Sequence, residues 1–276
     1  MIPDPKADVR VGWPVVLAMD CHLREPLAIA PTPDPRIEPD WILRGYITGV
    51  DAVGRACGPM ELGGTRTCYG LFLESAATRG SFVAAIRGTH GLIEWAEDAE
   101  FLLTSHPMGG HVEAGFWGIY LTMGYLPVGA VTEVPLAEGI AAYGGTVTVV
   151  GHSLGGALAT YLTLDLAART NVRGRFFASA RPGDAGFAEI FDRAVADYVC
   201  YTRTVDIVPH VPIGYTPLRN AVEITPTSSQ AKIAFGLDCW HHMIGYLASI
   251  DYSFMDWQSV PAIDQPNAAC IKGRNA

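Results

Sequence analysis

Apolar positions recur along this chain with two different periods. Short β-branched and aromatic runs, among them "CYGLFLES", "SFVAAIRG", "TVTVVG", "GRFFASA" and "YVCYTRTVD", predict buried strands. The stretches "EAGFWGIYLTMGYL", "LGGALATYLTLDLAART", "AGFAEIFDRAVAD" and "HHMIGYLASI" carry apolar residues at helical spacing and predict helices. Because strands alternate with helices, the pattern predicts an α/β fold: a mostly parallel central sheet with helices on both faces.

The first forty residues have a different composition. Residues 1–40 hold eight prolines, which interrupt regular structure and favour extended backbone. We therefore expect a Pro-rich N-terminal arm over residues 1–40, with only a short helix near "VVLAMDCH", and a single domain over residues 41–276. Neither a repeat nor a low-complexity linker divides the sequence further.

Composition narrows the possible partners. Apolar residues make up 49% of the 276 residues and charged residues 17%, as expected for a well-buried globular protein. The net charge is −9 and no run of Lys or Arg occurs, which disfavours binding to nucleic acid. Residues 139–164 carry no Asp, Glu, Lys or Arg, but their six glycines and changing periodicity predict a buried strand and helix rather than a transmembrane segment.

The amino terminus and the cysteines bear on the compartment. The start lacks a basic segment followed by an unbroken apolar stretch, because Asp4, Asp8, Pro14 and Asp20 flank or interrupt it. Without a signal peptide, we expect a cytoplasmic protein or one exported by another route. The six cysteines form no CxxC pair, which disfavours zinc, and we expect free, mostly buried thiols, as in a reducing compartment.

One stretch contains a serine that could act as a nucleophile. In "TVTVVGHSLGGALATYLTLDLAA", Ser153 lies between Gly151 and Gly155, where a predicted strand ends and a helix begins. A sharp strand-to-helix turn needs small neighbours and lifts the hydroxyl above the strand, while the N–H of Leu154 can donate to an oxyanion. A phosphate-binding loop would need a Lys after the last glycine, and the sequence has none there. The turn therefore predicts Ser153 as a nucleophile.

A serine hydroxyl needs a base, and after such a turn the acid and then the base follow along the chain. Asp206 ends the strand-like "YVCYTRTVD" and is the preferred acid, with Asp184 after "GRFFASA" as the alternative. His210 lies only four residues after Asp206 in the same loop, which favours a place in the cleft or on the surface. His241 and His242 both begin the last predicted helix, where the dipole favours a neutral imidazole, and the residues alone do not separate them.

Several segments occur in a fixed order around this serine. They are "VAAIRGTHGLIEWAEDAEF", "HVEAGFWGIY", "VTVVGHSLGGALATYLTLDL", "ASARPGDAGFAEIF", "RTVDIVPHVP" and "HHMIGYL". Over residues 65–250 the chain thereby resembles the class 3 lipases of the filamentous-fungal type. The resemblance implies an α/β-hydrolase fold. The chain departs from the family in "SARPGD", where the family often has Ser-Pro or Pro-Arg, and residues 1–64 lie outside the resemblance.

The resemblance also assigns roles to residues. It implies Ser153 as nucleophile, Asp206 as the acid that orients the base, and His241 as that base. His241 is favoured over its neighbour because Tyr246 stands five residues after it, which is the spacing in the family's last motif. Asp184 falls in a turn that is not catalytic in the family.

The family further implies an oxyanion hole and a lid. Thr89 would donate through its backbone N–H and its hydroxyl, and Leu154 through its N–H. The next segment, "HGLIEWAED", implies a mobile lid whose apolar side chains, Leu92, Ile93 and Trp95, face lipid when it opens. A fixed surface loop is the alternative.

The function implied is that of a serine carboxylic-ester hydrolase, a lipase that cleaves fatty-acyl glycerol esters without a metal or an organic cofactor. The acidic lid and the net charge of −9 favour a neutral glyceride or a small ester over anionic phospholipids, and a mobile lid implies that the substrate is met at a lipid–water interface. A phospholipase or a short-chain carboxylesterase with the same residues is the alternative. A non-catalytic binding protein on a hydrolase scaffold is disfavoured by the complete Ser-Asp-His set.

Overall fold

The structure is a computed structural model that describes residues 4–51, 64–89, 102–224, 232–257, 260 and 270–272. The strands in this part of the chain are β1 Trp41–Asp51, β2 Thr65–Ser75, β3 Ser81–Ile86, β4 Leu103–Ser105, β5 His111–Glu113, β6 Gly124–Pro127, β7 Val134–Pro135, β8 Thr146–His152, β9 Asn171–Phe177, β10 Tyr198–Thr202, β11 Ala221–Glu223, β12 Lys232–Ile233 and β13 Ile271–Lys272. The helices are α1 Pro5–Arg24, α2 Ala114–Leu121, α3 Leu136–Ala141, α4 Leu154–Ala167, α5 Ala185–Ala194, α6 Leu237–His241 and α7 Met243–Ile250.

Nine of these strands form one sheet, in the order β11-β10-β9-β8-β3-β2-β1-β6-β7. The five strands from β3 to β11 in that order run parallel, and the strands beyond β3 pair antiparallel. Because the carboxyl ends of parallel strands meet at one edge, the segments that follow Ile86, His152, Phe177 and Thr202 lie side by side. The candidate site is built from these segments.

Helices cover both faces of the sheet and create two apolar layers. On one face α2 to α5 pack with buried residues such as Phe116, Leu158 and Phe187. On the other face α1 and α7 pack with residues such as Val16 and Leu247. Strand β8 is buried along nearly its whole length between these layers, which agrees with its β-branched, uncharged sequence. The predicted α/β class, with helices on both faces, is confirmed.

Helix α1 occupies much of the segment for which the sequence predicted an extended arm. It is 20 residues long, and the Asp4 carboxylate caps it by accepting from the N–H groups of Lys6 and Ala7. Pro5 stands in the first turn, where an N–H has no partner inside a helix, so this proline starts the helix instead of breaking it. The expectation of an extended segment with only a short helix was wrong, and the domain boundary after residue 40 stays a prediction.

Two polar clusters, one buried and one part-buried, fix this helix. In the first, the Asp8 carboxylate accepts from Nε of Arg175 and from the hydroxyl of Tyr201, each at 2.6 Å. In the second, Asp34 accepts from Nη1 of Arg24 and from Nη2 of Arg36, each at 2.7 Å. Although burial alone would raise the pKa of Asp34, the hydrogen bonds from Arg36 and Arg24 outweigh it and hold that pKa below its usual range.

Two predicted helices have different limits in the structure. The one predicted over "EAGFWGIYLTMGYL" ends at Leu121, and the segment Gly124–Pro127 forms β6, which pairs with β1. The last predicted helix is divided at His242 into α6 and α7, because His242 has extended backbone. His241 therefore ends a short helix, and the argument from a helix amino terminus does not apply to it.

The cysteines also differ from expectation. Cys239 of α6 and Cys270, next to β13, form a disulfide, so the expectation of six free thiols was wrong. Cys21, Cys68 and Cys200 are free and buried in the described part of the chain. The bonded cysteines are 31 residues apart, and spacing alone does not reveal which cysteines the fold brings together.

Candidate active site

The strand-to-helix turn that the sequence predicted carries Ser153, and its backbone is strained. Ser153 has φ 62° and ψ −130°, in a region that residues with a side chain rarely occupy. A Cβ added at Gly151 would lie 2.1 Å from the carbonyl oxygen of Gly155. One added at Gly155 would lie 2.3 Å from the carbonyl oxygen of Arg87. Both positions therefore require glycine, and the close packing holds the serine hydroxyl at the strand edge.

Ser153, His241 and Asp206 form a continuous hydrogen-bonded chain. The Ser153 Oγ atom lies 2.8 Å from Nε2 of His241, and Nδ1 of His241 lies 2.9 Å from Oδ2 of Asp206. A carboxylate can only accept, so the Nδ1 atom carries the imidazole hydrogen. The Nε2 atom is then the acceptor for the serine hydroxyl, which is the arrangement of a general base at rest.

Asp206 is fixed by two further donors. Its Oδ1 accepts from the N–H of Val208 at 3.0 Å, and its Oδ2 accepts from the hydroxyl of Tyr246 at 2.7 Å. Burial, together with the charge of Asp206, raises the pKa of Tyr246 well above its ordinary value, so the phenol keeps its hydrogen and donates it. These donors fix the orientation of the carboxylate beneath the imidazole.

His152, the residue before the nucleophile, supports His241 from the backbone side. Its Nε2 atom lies 2.7 Å from the carbonyl oxygen of His241, and the two rings are 4.7 Å apart. Burial, and then repulsion from His241, hold the pKa of His152 well below its usual value. The ring is therefore neutral, and because a carbonyl only accepts, Nε2 carries the hydrogen and donates it.

Two candidate oxyanion donors, Thr89 and Leu154, lie close to the serine in the fold. A Cβ added at Gly88 would lie 3.0 Å from Cβ of Ser153, so the segment that ends at Thr89 runs directly against the nucleophile. The Thr89 hydroxyl oxygen is buried and has no hydrogen-bond partner within the described ranges. The N–H of Leu154 belongs to the first turn of α4, where N–H groups have no partner inside the helix. An oxyanion formed at Ser153 would satisfy both donors.

Known proteins share this chain's central region. Residues 83–216 match the family model described as lipase (class 3). The chain is 29% identical over 208 residues to phospholipase A1-IIgamma of Arabidopsis thaliana, a match that covers 62% of this chain and 48% of the plant protein. It is 30% identical over 178 residues to secreted mono- and diacylglycerol lipase A of Penicillium cyclopium, over 62% of this chain and 55% of that protein.

The chain resembles the class 3 lipase family over residues 83–216. It spans about half the length of the curated relatives that it matches. The crystal structure of a variant of MDLA from Penicillium cyclopium matches over 80% of this chain and 79% of that chain, with a TM-score of 0.56 and 19% identity. This likeness concerns the fold, and it agrees with the predicted α/β-hydrolase architecture in a single domain.

In this fold the alternative site residues lie apart from the Ser153–His241–Asp206 chain. The ring of His242 caps α7 by accepting from the N–H of Ile244 at 3.4 Å. His210 is exposed at the end of a short 3-10 turn. Asp184 caps α5 and pairs with His111 at 2.9 Å. Geometry therefore brings together the preferred set and separates it from the alternatives.

The predicted lid residues Leu92, Ile93 and Trp95 fall outside the described residues. Within the described part, no helix has both the length and the apolar character needed to cross a bilayer. Among the same residues, no cluster of three or more His, Cys, Asp or Glu side chains has the arrangement of a metal site.

Sequence reasoning missed the residues that support the triad. His152 lies within the quoted serine stretch and Tyr246 within the last motif. A histidine or a tyrosine in such a position does not by itself predict a hydrogen bond to the triad. Their roles depend on the approach of α6 and α7 to the ends of β8 and β10, which no local pattern encodes.

Proposed function

We propose that this protein is a serine carboxylic-ester hydrolase, a lipase that cleaves fatty-acyl glycerol esters. The observation that carries the proposal is the hydrogen-bonded chain from Ser153 through His241 to Asp206, 2.8 Å and 2.9 Å in its two steps. The buried, unpartnered hydroxyl of Thr89 beside it supports the same conclusion for the described part of the chain. Relatives named lipase and phospholipase A1 are consistent with this chemistry.

The first half of the reaction forms an acyl-enzyme. Nε2 of His241 takes the hydroxyl proton as Ser153 Oγ bonds to the ester carbonyl carbon. The carbonyl π electrons move to its oxygen, which accepts hydrogen bonds from Thr89 and from the N–H of Leu154. Collapse of this intermediate breaks the bond to the alcohol oxygen, and His241 returns the proton to that alcohol. Asp206 stabilises the imidazolium while it exists.

The second half releases the fatty acid. A water molecule gives a proton to Nε2 of His241 as its oxygen bonds to the acyl carbon. The same donors stabilise the second oxyanion, and the bond from the acyl carbon to Ser153 Oγ then breaks. The proton on His241 returns to the serine oxygen, so the enzyme regains its starting state. Each missing oxyanion donor typically lowers the rate by about a hundredfold or more.

Exposed apolar side chains on the segments that carry the triad support a lipid substrate. Ile213, in the loop after Asp206, is 89% exposed, and Phe235, just before the helix of His241, is 91% exposed. Isolated exposed apolar side chains are common on any surface, but two large ones on both triad-bearing segments favour contact with an apolar phase. We propose that these two side chains enter a lipid–water interface.

A phospholipase A1 is the second candidate, because the Arabidopsis relative carries that name. The same triad and oxyanion donors would cleave the ester of a phospholipid. The net charge of −9 favours a zwitterionic lipid over an anionic one. The bond cleaved, rather than the residues that cleave it, distinguishes this candidate from a glyceride lipase.

The test of the function compares three substrates: emulsified diolein, phosphatidylcholine vesicles and p-nitrophenyl butyrate. We expect release of oleate from diolein by the wild type and none by Ser153→Ala. Ser81→Ala, at the opposite edge of the sheet, is the matched control and should keep full activity. Preference for phosphatidylcholine would support the second candidate, and activity on the butyrate alone would contradict both lipid substrates.

The interface proposal has its own test. Ile213→Ser combined with Phe235→Ser should lower activity on emulsified diolein several-fold and leave hydrolysis of dissolved p-nitrophenyl butyrate unchanged. Val131→Ser removes an apolar side chain that is 98% exposed near the far end of the sheet, and it should change neither rate. Equal losses on both substrates in the double variant would contradict the proposal.

A further inference from the structure

Arg203 is a buried cation beside the triad. It directly follows β10 after Thr202 and precedes Asp206 by three residues, and its side chain is only 1% exposed. Within the described ranges no carboxylate lies within ion-pair distance of its guanidinium group. A buried charge without an ion-pair partner is costly, so its retention at this position needs a physical reason.

The guanidinium group joins the two helices that follow the site. Its Nη1 atom donates to the carbonyl oxygen of Trp240 at 3.2 Å, one residue before His241 in α6. Its Nη2 atom donates to the hydroxyl oxygen of Ser249 in α7 at 2.7 Å. The side chain therefore spans from the helix that carries the base to the helix that packs behind it.

The same residue contacts one support of the Asp206 carboxylate and the backbone turn that presents it. Its guanidinium carbon lies 5.1 Å from the centre of the Tyr246 ring, whose hydroxyl donates to Asp206. Its backbone carbonyl accepts from the N–H of Asp206 at 3.1 Å and so closes the turn that presents the carboxylate. One side chain and its own peptide group thus contact α6, α7 and the turn that carries Asp206.

We propose that Arg203 is a positioning residue of the triad. Its guanidinium group holds the backbone next to His241 against the helix of Tyr246, and its positive charge acts on the carboxylate of Asp206. The inference rests on the proposed function of Ser153, His241 and Asp206.

The charges around the imidazole support an electrostatic part in this role. The titratable or charged groups that contact the His–Asp pair, its supports or the neighbouring backbone lie on four segments of the described chain: His152 and Ser153 at the end of β8, Arg203 and Asp206 after β10, His242 between the helices, and Tyr246 in α7.

Most of these groups are neutral. Burial keeps His152 uncharged and keeps the Tyr246 phenol protonated, and the His242 ring accepts a hydrogen bond at Nδ1, which a charged imidazole cannot do. The fixed charges near His241 are therefore those of Asp206 and Arg203. Burial lowers the pKa of Arg203, while Tyr246 and Asp206 raise it, and a guanidinium remains charged throughout the working pH range.

Loss of the Arg203 charge should move the pH dependence of the reaction in one direction. A positive charge near the base disfavours the imidazolium, so its removal favours protonation of the base at a given pH. The acid limb of the pH–rate profile should then move to higher pH. A purely structural role would lower the rate without moving the limb.

The experiment measures the rate of Ser153 labelling by a fluorophosphonate from about pH 5 to about pH 9, since this reaction needs the base but no particular ester. We expect Arg203→Met to move the acid limb up by about one pH unit and to slow labelling at neutral pH about tenfold. Arg203→Lys, which keeps the charge, should leave the limb in place and lose part of the rate. Ser249→Ala, which removes one contact and no charge, should also leave the limb in place.

Near-ultraviolet circular dichroism checks the fold of each variant, and Arg203→Gln replaces Arg203→Met if the latter does not fold. An unmoved acid limb in a folded neutral variant would overturn the proposal, and so would an equal shift in Arg203→Lys. A wild type that reacts with the fluorophosphonate but cleaves no glyceride would overturn only the proposed substrate. A folded wild type that never reacts would overturn the proposed function and this inference with it.

Discussion

The disulfide between Cys239 and Cys270 should stabilise the protein while contributing little to the chemistry of the site. The perturbation is the double variant Cys239→Ser with Cys270→Ser. The bond closes a loop with a sequence separation of 31 residues. In the chain-entropy model, a loop of that size limits the unfolded chain enough to stabilise the fold by about 3.7 kcal/mol at 25 °C.

This free energy translates into a measurable melting temperature. With an unfolding entropy of about 2.1 cal/mol/K for each residue, a chain of 276 residues should melt roughly 6 °C lower without the bond. Activity well below the transition should fall only a few-fold. The reason is that α6 keeps two other contacts near the base, from His152 to the carbonyl of His241 and from Arg203 to the carbonyl of Trp240.

The assay is thermal unfolding followed by circular dichroism, with and without a reductant, together with ester hydrolysis at 20 °C. Reductant should lower the melting temperature of the wild type to that of the double variant and leave the double variant unchanged, which is the internal control. If the oxidised wild type and the double variant melt together, the loop-closure reasoning is refuted. A complete loss of activity at 20 °C in a folded variant would show instead that the bond positions His241.

Three further predictions concern single side chains. Thr89→Val removes a buried hydroxyl and keeps the shape, so kcat should fall about a hundredfold with little change in KM, whereas Thr89→Ser should retain most activity. His241→Ala should lower kcat by at least about a thousandfold. His242→Ala loses a helix cap, so it should lower the free energy of unfolding by about 1 kcal/mol and leave activity within a few-fold of the wild type. Reversed effects would assign the base to His242. Asp34 has a lowered pKa in the folded state, so its stabilising effect is present above about pH 4 and lost as the pH falls further. The difference in unfolding free energy between wild type and Asp34→Asn should accordingly shrink from pH 6 to pH 3 in urea titrations, and a constant difference would contradict the ion-pair account.

Part of the site could be predicted because its constraints are local. The serine turn depends on residues within a few positions of each other: a β-branched strand, Gly151, Ser153, Gly155 and an apolar helix. Sterics in that short stretch decide the backbone, so the sequence pattern indicates both the turn and the exposed hydroxyl. The position of Asp206 followed from the same kind of evidence, since its strand and its loop are contiguous in the chain.

Other features depended on where a helix begins or is interrupted, and neighbouring residues determine those points only in part. His241 and His242 are adjacent and chemically identical, and the interruption between α6 and α7 decides which ring meets Ser153. The N-terminal segment was misjudged because prolines count against a helix on average, whereas Pro5 occupies a position that favours one.

By itself the sequence determined the α/β class, the strand-to-helix turn and the residue proposed as nucleophile, because each follows from the periodicity or sterics of neighbouring residues. Only the tertiary structure decided the bond between Cys239 and Cys270, the support of His241 by His152 and the burial of Arg203 against Tyr246. These contacts join residues from about 30 to about 90 positions apart. The order of strands in the sheet and the packing of helices on it bring such residues together, and no local pattern carries that information.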